Sequence, residues 1–332
     1  MKTLFRRAIF LACAGLAATI PVSPGPATAA ALAPTVRLPA GFALRVFADG
    51  ITTPRFLTYS PQGDLYVGQL RSTNSAITVL PDRNHDGTAD RNIEIAAPLY
   101  SPNNVAFRSA DWGTVFAVGE LGQVKVYTDV QGDLRYADSQ ILLPGLPGDG
   151  QHRTKTVGYG PDGQLYVSVG SFYDDPPQAE ERAGIWRYAP DGSSRHKVAG
   201  GLRNTVGFAW DAVSGALWGV DNGSDDLGRN APHDELNQLI DGGNYGWPDC
   251  IDQQIPNPHP PPHNCASTKA PAMLLPPHSA PLGLAFYTGG SFPPHYWGGL
   301  FIAYIAAPIQ SSVVSTTFLF RTVSRRATRS DS

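Results

Sequence analysis

One nine-residue pattern constrains this chain more than any other feature. Ser60-Pro61-Gln62-Gly63-Asp64-Leu65-Tyr66-Val67-Gly68 returns as Gly160-Pro161-Asp162-Gly163-Gln164-Leu165-Tyr166-Val167-Ser168. A degenerate copy runs from Asp211 to Gly219, and a weaker one from Asp111 to Val118. Each copy reads as a tight turn followed by a short apolar strand. Separations near 50 or 100 residues match the length of one four-stranded propeller blade, whereas a β-sandwich does not predict turn-plus-strand units at that period. Composition agrees. Gly and Pro supply 35 and 30 of the 332 residues, which disfavours long helices, while 42% hydrophobic residues are ample for a core of strands. About 290 mature residues at roughly 48 per blade predict an all-β, six-bladed β-propeller.

The two ends break the pattern. Lys2, Arg6 and Arg7 precede an apolar run from Ala8 to Ile20, and Ala27-Thr28-Ala29 offers a small-residue cleavage site, so residues 1–29 read as a signal peptide. A twin-arginine signal at Arg6-Arg7 or a lipid-anchored Cys13 fits the flanking residues less well. The propeller is placed at 35–304, periplasmic or secreted, and no stretch reaches the ~18 apolar residues of a membrane span. A formal net charge of -3 gives no basic surface for nucleic acid. From Ile305 to Ser332 there is no Gly, ten residues are Ser or Thr, and Arg321, Arg325, Arg326 and Arg329 cluster. Suitable codons for Ser315 to Ser330 let a shifted frame encode a plausible strand and turn. Residues 305–332 therefore read as an aberrant, disordered tail that follows a frame change soon after Tyr304 and leaves the last blade incomplete. The segment Thr35 to Phe47 is a candidate strand for closing the ring.

Without Cys13, Cys250 and Cys265 form an even pair in a compartment where disulfides persist. They lie in a Pro-rich stretch, residues 250–277, that reads as a long stapled loop. The alternative is a metal site with His259 and His263, although the short Cys-x-x-Cys spacing of such sites is missing.

Gly201-Leu202-Arg203-Asn204-Thr205-Val206-Gly207-Phe208-Ala209-Trp210-Asp211, Asp221-Asn222-Gly223, Asp234-Glu235-Leu236-Asn237 and Gly243-Asn244-Tyr245-Gly246-Trp247-Pro248 together resemble the soluble glucose/sorbosone dehydrogenase family. The run Ala280 to Gly289 resembles its sorbosone-dehydrogenase-like branch. The resemblance implies a six-bladed propeller that oxidises a sugar with pyrroloquinoline quinone and calcium. It maps the general base onto His152, eight residues before Gly160, and quinone contacts onto Arg203 and Asn204. Histidine suits removal of a hydroxyl proton near neutral pH, and a guanidinium suits a carbonyl gaining negative charge. Calcium maps onto main-chain oxygens of Gly223 and Ser224, hard ligands of the kind that ion takes. Ser224 stands where the family often has Pro. Asp234 and Glu235 match an acidic pair near that site, and fixing the loop by hydrogen bonds is an equal role for Glu235.

A second calcium site is possible at Asp82, Asn84, Asp86 and Asp90, which open like an EF-hand loop. Ile93 stands where the bidentate Glu belongs, so a hairpin turn whose side chains accept local amides is the competing reading. The function expected is a sugar or sugar-aldehyde dehydrogenase passing electrons to an exported acceptor. Its alternatives are a non-catalytic carbohydrate-binding propeller, a propeller lactonase, or an inactive truncated relative.

Overall fold

The computed structural model describes residues 38–110, 113–129, 134, 138–174, 179–259 and 264–305. The expected signal peptide, His263 and the tail beyond Ile305 lie outside these residues.

Four antiparallel sheets follow one another along the chain. The first is β1 (Pro54–Tyr59), β2 (Leu65–Gln69), β3 (Ser75–Leu80) and β4 (Ile93–Leu99); the second is β5 (Val105–Ala110), β6 (Gly113–Glu120), β7 (Gln123–Asp129) and β8 (Asp138–Leu143). The third contains β9 (Val157–Tyr159), β10 (Leu165–Val169), β11 (Gly184–Tyr188) and β12 (Arg195–Gly200). The fourth begins with β13 (Thr205–Trp210), β14 (Leu217–Asp221) and β15 (Asp234–Leu239). The copies at Ser60, Gly160 and Asp211 each open with the turn between the first and second strands of a sheet. In the turn before β2, Gly63 adopts φ +92° and its amide donates to the Ser60 carbonyl at 2.9 Å. Gly163 repeats both features before β10. A left-handed conformation at this position is what favours glycine.

Apolar faces of consecutive sheets meet. Tyr66, Ile77 and Val79 pack with Val105, Phe116 and Val118; Val115, Ala117 and Val126 pack with Val157, Val167 and Trp186. Ile185 and Val198 pack with Leu217 and Leu239. This is a propeller, with a core between each pair of blades and the first strands β1, β5, β9 and β13 adjoining one another or the next blade. Inter-blade hydrogen bonds reinforce the inner edges: Asn104 exchanges two with Val157 at 2.7 and 2.8 Å, and Asn103 Nδ2 donates to Thr156 Oγ1 at 2.7 Å.

Among the described residues there are four complete blades and a two-stranded fifth sheet, β20 (Pro281–Phe286) with β21 (Leu300–Tyr304). A long excursion separates β15 from the fourth strand of its blade. That strand, β19 (Met273–Leu275), is reached only after β16 (Gly243–Asn244), which adds in parallel to β12, and a hairpin of β17 (Cys250–Ile251) and β18 (Ile255–Pro256). The Pro-rich segment is thus an insertion that ends by returning to the sheet, and Cys250 and Cys265 are joined within it.

No strand forms over residues 38–53, which corrects the expected closing strand as far as those residues are described. Side chains link the two ends of the propeller instead. Phe42 meets Phe292 and Tyr296 edge-on at 5.1 and 5.4 Å, while Phe47, Ala48 and Ile51 cover Leu65, Val67 and Leu80 of the first blade. No helix of the described residues is long and apolar enough to cross a membrane.

Candidate active site

His152 lies in the loop leading into β9, and Arg203 and Asn204 lie in the turn leading into β13. Gly170, just past the end of β10, is where the two loops converge. A methyl group added there would stand 2.5 Å from His152 Cβ and 2.9 Å from Asn204 Oδ1, so the approach requires glycine. The next residue joins the two loops. Ser171 is fully buried; its hydroxyl is 2.7 Å from His152 Nδ1 and its amide donates to the Arg203 carbonyl at 2.8 Å. With Nδ1 carrying the proton and donating to the serine oxygen, Nε2 is the basic atom. Burial, followed by repulsion from Arg203, lowers the His152 pKa to about 4 against smaller opposing effects of Asp174 and Ser171. The imidazole is therefore neutral throughout the ordinary pH range.

The backbone around Arg203 is held by one carboxylate. Asp221, at the end of β14, accepts from the amides of Arg203 and Asn204, both at 2.9 Å, and from Thr205 Oγ1 at 2.6 Å. The Arg203 side chain, only 6% exposed, points at Asp174: Nε donates to Oδ1 at 2.8 Å and Nη2 donates to the same oxygen. Its Nη1 donates to the Asn222 carbonyl at 3.0 Å.

Behind Asp221 stands Glu235, its direct partner in the ladder between β14 and β15. Burial first, then the Asp221 charge, raise the Glu235 pKa to about 8, while Asp221 rises to about 6 through burial against its donors. Three donors hold Asp221 in its charged form, whereas Glu235 accepts only from Asn237 Nδ2 at 3.1 Å among the bonds seen here. Glu235 is thus the member of the pair that keeps its proton at neutral pH.

Gly223 and Ser224 continue from the carbonyl that binds Arg203. Their loop is fixed by Asp234, which accepts from the Gly223 amide at 2.9 Å and, through its other oxygen, from the Ser279 amide, the Ser279 hydroxyl and the Ala280 amide at 2.8 to 3.0 Å. Asp234 has the loop-fixing role. Among the described residues no group of three or more His, Cys, Asp or Glu side chains could hold a metal ion. A cation beside this loop would rest on main-chain oxygens and on oxygens of a bound molecule.

The Asp82 loop lies between β3 and β4. Asp82 accepts from the amides of Asp86 and Gly87, Asn84 from that of Asp86, Asp86 from that of Thr88, and Asp90 from that of Arg83. These are the local turn bonds of the competing reading. His259, the other ligand considered beside the cysteines, lies 3.6 Å from Asp226.

Sequence reasoning missed Ser171, Asp174 and Lys155. Lys155 is fully buried three residues after His152; its ammonium donates to the Arg153 carbonyl at 2.7 Å, and burial followed by Arg182 lowers its pKa to about 7. A signal for Ser171 was present. Gly68-Gln69, Gly119-Glu120 and Gly170-Ser171 recur at intervals of 51 residues, and Asn222 falls one interval later. Each glycine lies against the entry of the next blade, Gly68 at the Asn103 carbonyl and Gly119 at that of Lys155.

Residues 114–318 match the family described as Glucose / Sorbosone dehydrogenase, a span that continues past Tyr304. An uncharacterized protein of Borreliella burgdorferi is 26% identical over 285 residues, covering 81% of this chain and 72% of that protein. The pyrroloquinoline quinone-dependent sugar dehydrogenase of Hypocrea jecorina is 26% identical over 241 residues, covering 63% of this chain and 56% of its own length. The calcium structure of the Trichoderma reesei carbohydrate-active enzyme of family AA12 superposes with a TM-score of 0.67 at 21% identity, covering 79% of this chain and 76% of that one. At that identity the likeness concerns the fold.

Proposed function

The chain belongs to the glucose/sorbosone dehydrogenase family, and from that membership and the site's geometry we propose that it is an exported quinoprotein oxidising a sugar or sugar aldehyde. The convergence of His152 and Asn204 on Gly170, with the Arg203 carbonyl tied to the amide of the next residue, Ser171, carries the reading. These residues fit pyrroloquinoline quinone, a planar anion rich in oxygen. Arg203 supplies the cationic fork and Asn204 an amide, and the glycine leaves bare backbone where a side chain would intrude. When bound, the quinone supplies the acceptor for a hydride from the sugar carbon.

The chain's own part is proton handling and orientation. His152 Nε2 takes the hydroxyl proton, and Ser171 holds the ring so that this atom faces outward from Nδ1. Arg203, held at its backbone by Asp221, would supply positive charge to a quinone oxygen. Main-chain oxygens of Gly223 and Ser224 would hold calcium, next in sequence to the Asn222 carbonyl that accepts from Arg203. The six-bladed count of the full propeller and transfer of electrons to an exported acceptor belong to the same reading, and the joined Cys250 and Cys265 suit an oxidising compartment.

The test is dye-linked oxidation of a panel of aldoses by the full chain after addition of quinone and calcium. Turnover should appear, and His152→Ala should lower it ~10²-fold or more without abolishing quinone binding. Equal turnover of variant and parent would remove His152 from the mechanism.

A further inference from the structure

The guanidinium that the proposed function assigns to the quinone is already engaged by a carboxylate of this chain. Arg203 gives two donors, Nε and Nη2, to one oxygen of Asp174, and its third contact is the Asn222 carbonyl. Arg203 is almost wholly buried, while a quarter of the Asp174 side chain is exposed. The charge that could move is therefore on Asp174.

Asp174 lies three residues after Ser171, on the strap that follows β10. The start is pinned, by the Ser171 amide on the Arg203 carbonyl and by the Gln151 amide on the Phe172 carbonyl, both at 2.8 Å. Arg182 stands over the Phe172 ring, 4.9 Å from its centroid. The pinned half carries the hydroxyl that meets His152; the far half carries the carboxylate that meets Arg203. One strap can thus keep the base oriented while Asp174 exchanges partners.

We propose that Asp174 is an internal anion on Arg203 that an anionic cofactor displaces, so that it restrains cofactor binding and acts through Arg203. The inference rests on the assignment of Arg203 to the quinone. A carboxylate and an incoming anionic oxygen compete for the same two donors, and their like charges repel at that distance. Asp174 also shields Arg203 from being buried without a counter-charge while the cofactor is away. Replacing it with a neutral side chain removes the competitor and keeps a group able to hydrogen-bond.

The experiment is a titration of the calcium-loaded full chain with pyrroloquinoline quinone, followed by calorimetry or tryptophan quenching, for the parent, Asp174→Asn, Arg203→Gln and the double variant. Asp174→Asn should tighten binding about tenfold, the size of one charged hydrogen bond, and Arg203→Gln should weaken it. The double variant should bind no better than Arg203→Gln, because the gain works through the guanidinium. Loss of the strap's structure would weaken binding, so tightening is a result that a merely structural role does not produce. Asp174→Ser is the second variant should the amide fail to fold. Unchanged or weaker binding by a folded Asp174 variant, while Arg203→Gln still binds poorly, overturns the displacement and leaves the role of Arg203 standing. Tightening that persists in the double variant overturns it as well. Unaltered binding by Arg203→Gln overturns the assignment of Arg203 itself.

Discussion

His152 Nδ1 and the Ser171 hydroxyl stand 2.7 Å apart, and the same serine donates its amide to the Arg203 carbonyl. One small residue after Gly170 therefore sets both the ring of the proposed base and the loop of the proposed quinone-binding arginine. Ser171→Ala keeps the amide and deletes only the hydroxyl. Left without a partner in a buried place, Nδ1 loses about 1 to 3 kcal/mol of orientation. The expected outcome is a fall in kcat of about tenfold or more with the sugar KM within about twofold, in steady-state assays of the quinone-loaded protein. A parental kcat would show that packing alone orients the ring.

The acid limb of the activity profile follows from burial of the same ring. A histidine at its ordinary pKa would lose base function below about pH 6.5, but desolvation and Arg203 keep the His152 pKa at about 4. Because the neutral ring is the active form, kcat/KM should stay level as pH falls through 6 and decline only toward pH 4. The same shift opposes folding in acid, since the unfolded chain takes up this proton between about pH 6.5 and 4 and the native one does not. Rate measurements at pH values where the circular dichroism is unchanged separate the two effects. An acid limb centred near 6.5 would contradict the buried geometry.

Glu235 gives the opposite sign. Its folded pKa of about 8 lies above the ordinary 4.5, through burial and then the Asp221 charge. The native state keeps a proton that the unfolded state releases, so this stabilisation is complete below about pH 4.5 and is lost as pH rises through 8. Glu235→Gln mimics the protonated form and should lose less Tm than the parent between pH 5 and 9. Parallel Tm curves for the two proteins would mean that Glu235 is ionised in the native state or well solvated.

Much of this arrangement could be read from residue order, and the parts that could not have physical causes. The turn ahead of β2 and β10 was legible because Gly63 and Gly163 occupy a left-handed conformation at the same place in the first and third blades. The extent of the fourth blade was not, since the excursion before β19 contains strands of its own and nothing in its spacing marks it as extra. The placement of His152, Arg203 and Asn204 came through family motifs. Asp174 carries no local pattern: its partner is 29 residues away, and only folding brings the two together. Asp234 was recognisable as acidic, yet its task of gathering amides from Gly223, Ser279 and Ala280 depends on chain 45 residues downstream.

Gly170 offers the sharpest test of how closely the site is built. Gly290 is a useful contrast, because a methyl group there meets nothing within 4 Å, whereas on Gly170 it meets His152 Cβ at 2.5 Å and Asn204 Oδ1 at 2.9 Å. Neither neighbour can yield freely, His152 being tied through Ser171 and the Asn204 backbone through Asp221. Gly170→Ala should cost about 1 to 3 kcal/mol from overpacking, while Gly290→Ala should be close to neutral. Function should suffer more than folding, since a displacement of about 1 Å at a reacting group lowers turnover by about 10²-fold. The expected pattern is a folded Gly170→Ala protein with a modestly lower Tm, weak quinone binding and little sugar oxidation. Parental turnover from that variant would mean that His152 and Asn204 need not stay in contact with Gly170 for the reaction, and the convergence on which the functional reading rests would lose its force.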